Sequence, residues 1–127
     1  MMGRKERGQS LVEFALVLPL LILILLGIFD LGRVYNTYIV ITNAARNGAY
    51  YGSMHPTDTT GIVQSVVTEA QGSGVNLTSS NVCVSSSGVR GTPIGVSVTF
   101  NFALFSSVLP GVDTLTLSSS TEMMIVK

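Results

Sequence analysis

The spacing of apolar residues divides the chain into three stretches with different periods. After a short charged start, the residues from Leu11 to Phe29 are apolar nearly all round. At about 1.5 Å of rise per residue, such a helix crosses most of a roughly 30 Å hydrocarbon core, so the run predicts a membrane-spanning helix. Beyond it the pattern turns amphipathic. Leu31, Val34, Tyr35, Tyr38, Thr42, Ala45 and Ala49 follow helical spacing, while Arg33, Asn36, Asn43, Arg46 and Asn47 fall mostly on other faces. One helix from Ser10 to about Tyr51 is expected, its outer half laying that stripe on a small domain and ending around Gly48 to Gly52. Met54-His55-Pro56 marks a turn.

A second, shorter helix follows. Asp58 or Thr59 can cap it, Ile62, Val63, Val66, Val67 and Ala70 form one apolar face, and Gly72 and Gly74 stop it. The period then changes from about 3.6 to 2. Val82 and Val84 alternate with Cys83 and Ser85. Val96, Val98, Phe100, Phe102 and Leu104 alternate with Ser97, Thr99, Asn101 and Ala103, the clearest strand signal in the chain. The stretch from Gly88 to Pro93 supplies a turn between these strands. A third strand, from about Thr114 to Val126, returns antiparallel through Leu109-Pro110-Gly111, with a polar Ser118 to Thr121 stretch that could interrupt it. The expected fold class is α+β: a long N-terminal transmembrane helix, a second short helix and a three-stranded antiparallel sheet whose Val98, Phe100 and Phe102 are buried against the amphipathic stripe.

Pro19 falls inside the apolar run, where it removes a backbone donor and crowds the carbonyl of Ala15; a kink or loosened turn is expected there. The bend is either idle or a joint used when the helix moves between bilayer and assembly.

Composition narrows the class further. The chain has 127 residues, 46% hydrophobic and 11% charged, with zero net charge. That leaves room for one small domain besides the anchor and is low in charge for a soluble protein. The balance hides an asymmetry: Arg4, Lys5 and Arg7 against Glu6 give the leader a net charge of about +2, which puts the N-terminus in the cytoplasm and everything after the run outside. A cleaved secretory signal is disfavoured, because no small-x-small site follows the run and the run exceeds an ordinary signal core. An uncleaved signal anchor explains the leader and the run but gives no reason for Glu13. The single cysteine, Cys83, excludes an internal disulfide and is expected as a small buried residue in a strand.

No catalytic constellation is visible. His55 is the only histidine and is expected at the surface of a loop, and Asp30, Asp58, Glu69, Asp113 and Glu122 show no acid and base spacing. There is no phosphate-binding glycine loop and no basic stripe outside the leader, so nucleic-acid binding has no support and no cofactor or metal is expected. Asp30 and Arg33, three residues apart at the outer end of the run, are expected as a modest surface pair marking the membrane boundary.

Glu13 is the exception to this plainness. A charge at the centre of a span costs about 2.5–3.5 kcal/mol, less near an edge, so a carboxylate here calls for a partner. Cutting between Gly8 and Gln9 would create a cationic amino group at Gln9, one helical turn from Glu13 on the same face. Gly8, with no side chain, would let a peptidase approach the backbone closely.

A short basic leader ending in Gly, then Glu at the fifth position of the cut chain, then an apolar helix, resembles the processing signal of type IV prepilins and pseudopilins. The longer run from Arg7 to about Ala49 includes Gly8-Gln9-Ser10-Leu11-Val12-Glu13-Phe14, Pro19, Gly27, Asp30, Gly32-Arg33 and Asn43-Ala44-Ala45-Arg46. It is similar to the TadE-like family of the tight-adherence (Flp) pilus system. Gln9 departs from the general pattern, in which an aromatic residue or Met is common at that position.

The resemblance implies a non-enzymatic, membrane-inserted minor pseudopilin with a pilin-like lollipop shape, matured by a prepilin peptidase. It also implies other pilins or pseudopilins and inner-membrane assembly proteins as partners. The division expected is a leader over residues 1–8, a transmembrane segment over 9–30 and an extracytoplasmic domain over 31–127. On this reading Glu13 serves subunit docking or recognition by the peptidase. The alternative is an uncleaved, signal-anchored protein whose outer domain binds a partner without entering a filament.

Overall fold

In the computed structural model, which describes residues 3–104 and 114–127 and side chains from residue 6 onward, the charged start from Gly3 and the apolar run form one helix, α1 (Gly3–Met54). It begins earlier than the expected Ser10 because Arg4, Lys5, Glu6 and Arg7 are good helix formers, with Glu6 suitably placed in the first turn. It also runs on past Gly48 and Gly52. A turn follows, then α2 (Thr59–Gly72), a single 3-10 turn at Ser79–Asn81, and strands β1 (Val82–Ser85), β2 (Pro93–Ala103) and β3 (Thr114–Met124). The strands form one antiparallel sheet in the order β1-β2-β3, with Val84 opposite Val96, and Phe100 opposite Leu117. The expected connection through Leu109-Pro110-Gly111 lies outside the described residues.

The chain is therefore α+β as the periodicities predict, with both helices packed on the sheet. The core joins Ile41, Ala44, Ala45 and Ala49 of α1 to Ile62, Val66 and Ala70 of α2 and to Ile94, Val96 and Val98 of β2, closed by Val75, Leu77 and Ile125. Gly88 and Gly91 take positive φ values of 71° and 85° in the β1–β2 connection, which favours glycine at both. The C-terminal tail is tied back: Ile125 donates to the Thr92 carbonyl at 2.9 Å, and Val126 donates to the Ser53 carbonyl at 3.0 Å.

Three expectations change. Only the upper part of the expected stripe meets the domain: Ala45 and Ala49 are fully buried and Thr42 bonds to the sheet, whereas Leu31, Tyr35 and Tyr38 are exposed. The rest of the contact runs along a line through Thr37, Ile41, Ala44, Gly48 and Gly52, about a third of a turn from the exposed residues. Packing selects small residues here, because a Cβ on Gly48 would collide with the Val66 side chain, and one on Gly52 would lie 2.5 Å from Ile94 Cδ1. A tyrosine stripe could not approach so closely, so the glycines that read as a stop signal are the contact points between helices. Cys83 is exposed, because Val82 and Val84 take the inward positions of β1 and alternation sends Cys83 to the other face. Finally, the serines of β3 do not break it. Ser118, Ser119 and Ser120 pair opposite Thr99, Val98 and Ser97, and buried Ser119 accepts a hydrogen bond from Thr42 of α1 at 3.0 Å.

The corner between the helices is built from side chains. Asp58 caps α2 by accepting from the Gly61 amide at 3.0 Å, and it also accepts from the Tyr51 hydroxyl at 2.8 Å. Exposed His55 stacks on the Tyr51 ring with centroids 4.6 Å apart. The Tyr51 hydroxyl, followed by the Gly61 amide, holds the Asp58 carboxyl below its usual range, and the same bond raises the Tyr51 phenol.

Two predictions follow from these contacts. Val66 is β-branched, fully buried and unable to swing aside, so Gly48→Leu should cost about 1–3 kcal/mol in thermal melts of the detergent-solubilised chain. Gly72→Leu, with open space around it, should change little. Because the folded pKa of Asp58 is depressed, its contribution is complete above the ordinary carboxylate pKa of about 3.9 and is lost as pH falls through the lowered value. The Tm advantage of the native chain over Asp58→Asn should narrow below about pH 4; a difference independent of pH would rule out the charged acceptor as its source.

Candidate assembly and processing site

Two regions of α1 carry the chemistry that the sequence singles out. The first is the leader junction. Arg7, Gly8, Gln9 and Glu13 are all exposed on the helix, and among the described residues nothing lies within 4 Å of the place a Gly8 side chain would occupy. The glycine is therefore not required by packing within the chain. Gln9 and Glu13 are four residues apart in an unbroken helix, which stacks their side chains on one face, with Cβ atoms about 5–6 Å apart. Among the described residues, no hydrogen bond or ion pair engages Glu13. The side chains of Arg4 and Lys5 lie outside the described residues.

From Leu11 to Phe29 large apolar side chains stay exposed on every side of the helix. This is the one helix among the described residues long and apolar enough to cross a membrane, and none of its most apolar window is buried in the protein. Such a surface is stable in lipid or against other apolar helices, not in water. Pro19 sits within it, and α1 is continuous on both sides.

The second region is the end of the apolar run. Asp30 is not a surface residue but only 3% exposed, and Arg33 reaches it at 3.5 Å from the next turn. The Arg33 guanidinium also lies 4.7 Å from the centre of the Phe102 ring near the end of β2. A buried carboxylate needs such a partner, and the partner is itself held by a strand of the sheet. The trio thus fastens the point where anchor becomes domain. Sequence spacing gave the Asp30–Arg33 pair but no sign of its burial, since the side chain that ties Arg33 down is 69 residues further on. Beside it opens a polar cleft of about 450 Å³ lined by Arg33, Asn36, Asn76, Phe100, Asn101 and Phe102 among others.

Among the described residues, no group of three or more His, Cys, Asp or Glu side chains could hold a metal ion. What the geometry offers is a glycine with no side chain crowding it and, among the described residues, a carboxylate without a partner ahead of a bare apolar rod. No curated protein and no solved structure gives a significant match to the chain. A family model does: the one described as TadE-like protein matches residues 8–49, from Gly8 to the alanines and glycine that contact α2. An apolar anchor helix together with this match fits a membrane protein related to the Tad pilus, and it is as TadE-like that the N-terminal helix of this chain is identified.

Proposed function

We propose that this chain is a minor pseudopilin of a Tad/Flp-type pilus, inserted in the cytoplasmic membrane with its N-terminus inside and the α+β domain outside. A prepilin peptidase hydrolyses the Gly8-Gln9 bond, leaving a carboxylate on Gly8 and an ammonium group on Gln9. Glu13, within the edge of the bilayer, then pairs with that ammonium on its own or a neighbouring subunit. In the low dielectric of the membrane edge the pairing removes much of the cost of the buried charge. Pro19 gives the anchor a place to bend as it passes from lipid into a bundle of similar helices. Residues 9–30 act as the anchor, and 31–127 as the part presented to other pilins and inner-membrane assembly proteins.

The observation that carries this reading is Glu13, without a partner among the described residues, five residues beyond a glycine that no packing among them requires. The TadE-like match, which begins at that glycine, supports it. The size of the outer domain favours a minor subunit at the tip, base or initiation complex over the shaft.

The intact mass of the protein from membranes of cells with and without an active prepilin peptidase tests the reading. The mass should drop by residues 1–8 only where the enzyme is active, and Gly8→Phe should abolish the drop. Equal masses in both membranes would leave an uncleaved signal anchor in its place. Glu13→Ala should still be cut but fail to join the assembly; an uncut product would move Glu13 from docking to recognition by the peptidase.

A further inference from the structure

Leu31, Tyr35 and Tyr38, expected to meet the domain, instead form with Ile39 a bare apolar stripe. Leu31, Tyr35, Tyr38 and Ile39 are 70%, 68%, 44% and 40% exposed, while Asp30, Thr37, Val40 and Ile41 on the other side of α1 are buried. We propose that this stripe rests in the headgroup layer of the bilayer. The anchor then leaves the membrane tilted towards the stripe, with the globular domain held on the upper side. The inference rests on the membrane-anchored reading of α1.

Three observations converge on lipid as the occupant. The first is continuity. Below Asp30 the helix is apolar all round; above it only this side stays apolar, so the stripe extends the lipid-facing surface without a gap. The second is height. With α1 continuous, Tyr35 and Tyr38 lie roughly 36 and 40 Å along the axis from Leu11 at the inner edge of the hydrocarbon, and the outer headgroup layer spans about 30–37 Å from that edge. An upright helix puts Tyr35 in that layer and Tyr38 just above it; a typical tilt of about 20° towards the stripe lowers the helix there by about 2 Å and the side chains on its lower side by about 2 Å more, which brings both rings into the layer. The third is chemistry. Tyrosine places a ring against acyl chains and a hydroxyl among headgroups, which is why it collects at this depth.

The stripe also ends where it should. On the same side the next turns bring exposed Asn43 and Arg46, polar groups suited to the water side of the headgroups. Between Tyr35, Tyr38, Ile39, Thr42 and Asn43 lies a shallow, mostly apolar groove of about 240 Å³, open to receive the upper part of an acyl chain. Tilt in the opposite sense would press the covered face and the domain towards the lipid and lift the two tyrosines into water.

The chain contains no tryptophan, so single-tryptophan variants give an unobstructed reading. Full-length Tyr35→Trp and Tyr38→Trp are placed in phosphatidylcholine/phosphatidylglycerol vesicles. They are quenched by iodide from the water, by lipids spin-labelled near the headgroup, and by lipids spin-labelled deep in the chain. Leu21→Trp reports insertion of the span, and Tyr50→Trp, 55% exposed and further out along α1, reports water. Tyr35→Trp and Tyr38→Trp should be quenched most by the headgroup label and severalfold less by iodide than Tyr50→Trp. Iodide quenching equal to that of Tyr50→Trp would place the stripe in water and overturn the proposal, and protection from both iodide and lipid would assign it to a second copy of the chain. In either case deep quenching of Leu21→Trp would leave the anchor intact. Loss of that quenching would overturn the anchor and the proposal together.

Discussion

The fold depends on how closely two helices can approach. Over Ala44, Ala45, Gly48, Ala49 and Gly52, α1 offers almost no side chain, and into that shallow groove fit Val66 and Ile62 of α2 and Ile94 and Val96 of β2. A small domain cannot bury much surface in total, so it depends on dense contact where contact exists. Everything else is arranged around this seam. Asp58 and Tyr51 turn the chain back so that α2 meets α1, Thr42 and Ser119 join helix to sheet at its lower side, and the C-terminal tail closes the top through Ser53.

The seam also explains which parts of the structure the sequence disclosed. Ile62, Val66 and Ala70 face inward at helical spacing after a capping Asp58, and Val96 and Val98 alternate cleanly with polar neighbours, so both elements could be read directly, though β2 begins earlier, at Pro93, and adds Ile94 to the core. The inner face of α1 is legible only in part. Ala45 and Ala49 lie on the amphipathic stripe, but helical spacing draws it on through the larger Leu31, Tyr35 and Tyr38, whereas the domain requires small side chains where two backbones come together. A hydrophobic stripe measures affinity for any apolar surroundings, and in a chain that also meets lipid those surroundings need not be protein. The same limitation applies to Asp30, whose partner Arg33 is met by Phe102 from far along the chain; the side Cys83 takes, by contrast, follows from its two valine neighbours.

At the leader junction the reverse holds. The pattern of Gly8, Gln9 and Glu13 is local, so its geometry follows from one helix and four residues of spacing. The structure adds that the chain is helical from Gly3 onward, so the bond between Gly8 and Gln9 lies inside a hydrogen-bonded turn. Glycine has the weakest helix propensity after proline, so this is also where that turn is easiest to open.

The length of α1 carries a mechanical consequence. A helix of 52 residues is roughly 78 Å long, and its outer half is fixed to the domain by the seam and by the Asp30–Arg33–Phe102 fastening. The domain cannot swivel on its stalk as a bead on a thread would; stalk and domain form a lever with its fulcrum in the bilayer. From Phe29 to Met54 the arm is about 38 Å, so a change in inclination of about 20° sweeps the far end through roughly 13 Å. A small change of inclination in the anchor is thereby converted into a displacement of nanometre scale at the far end of the domain.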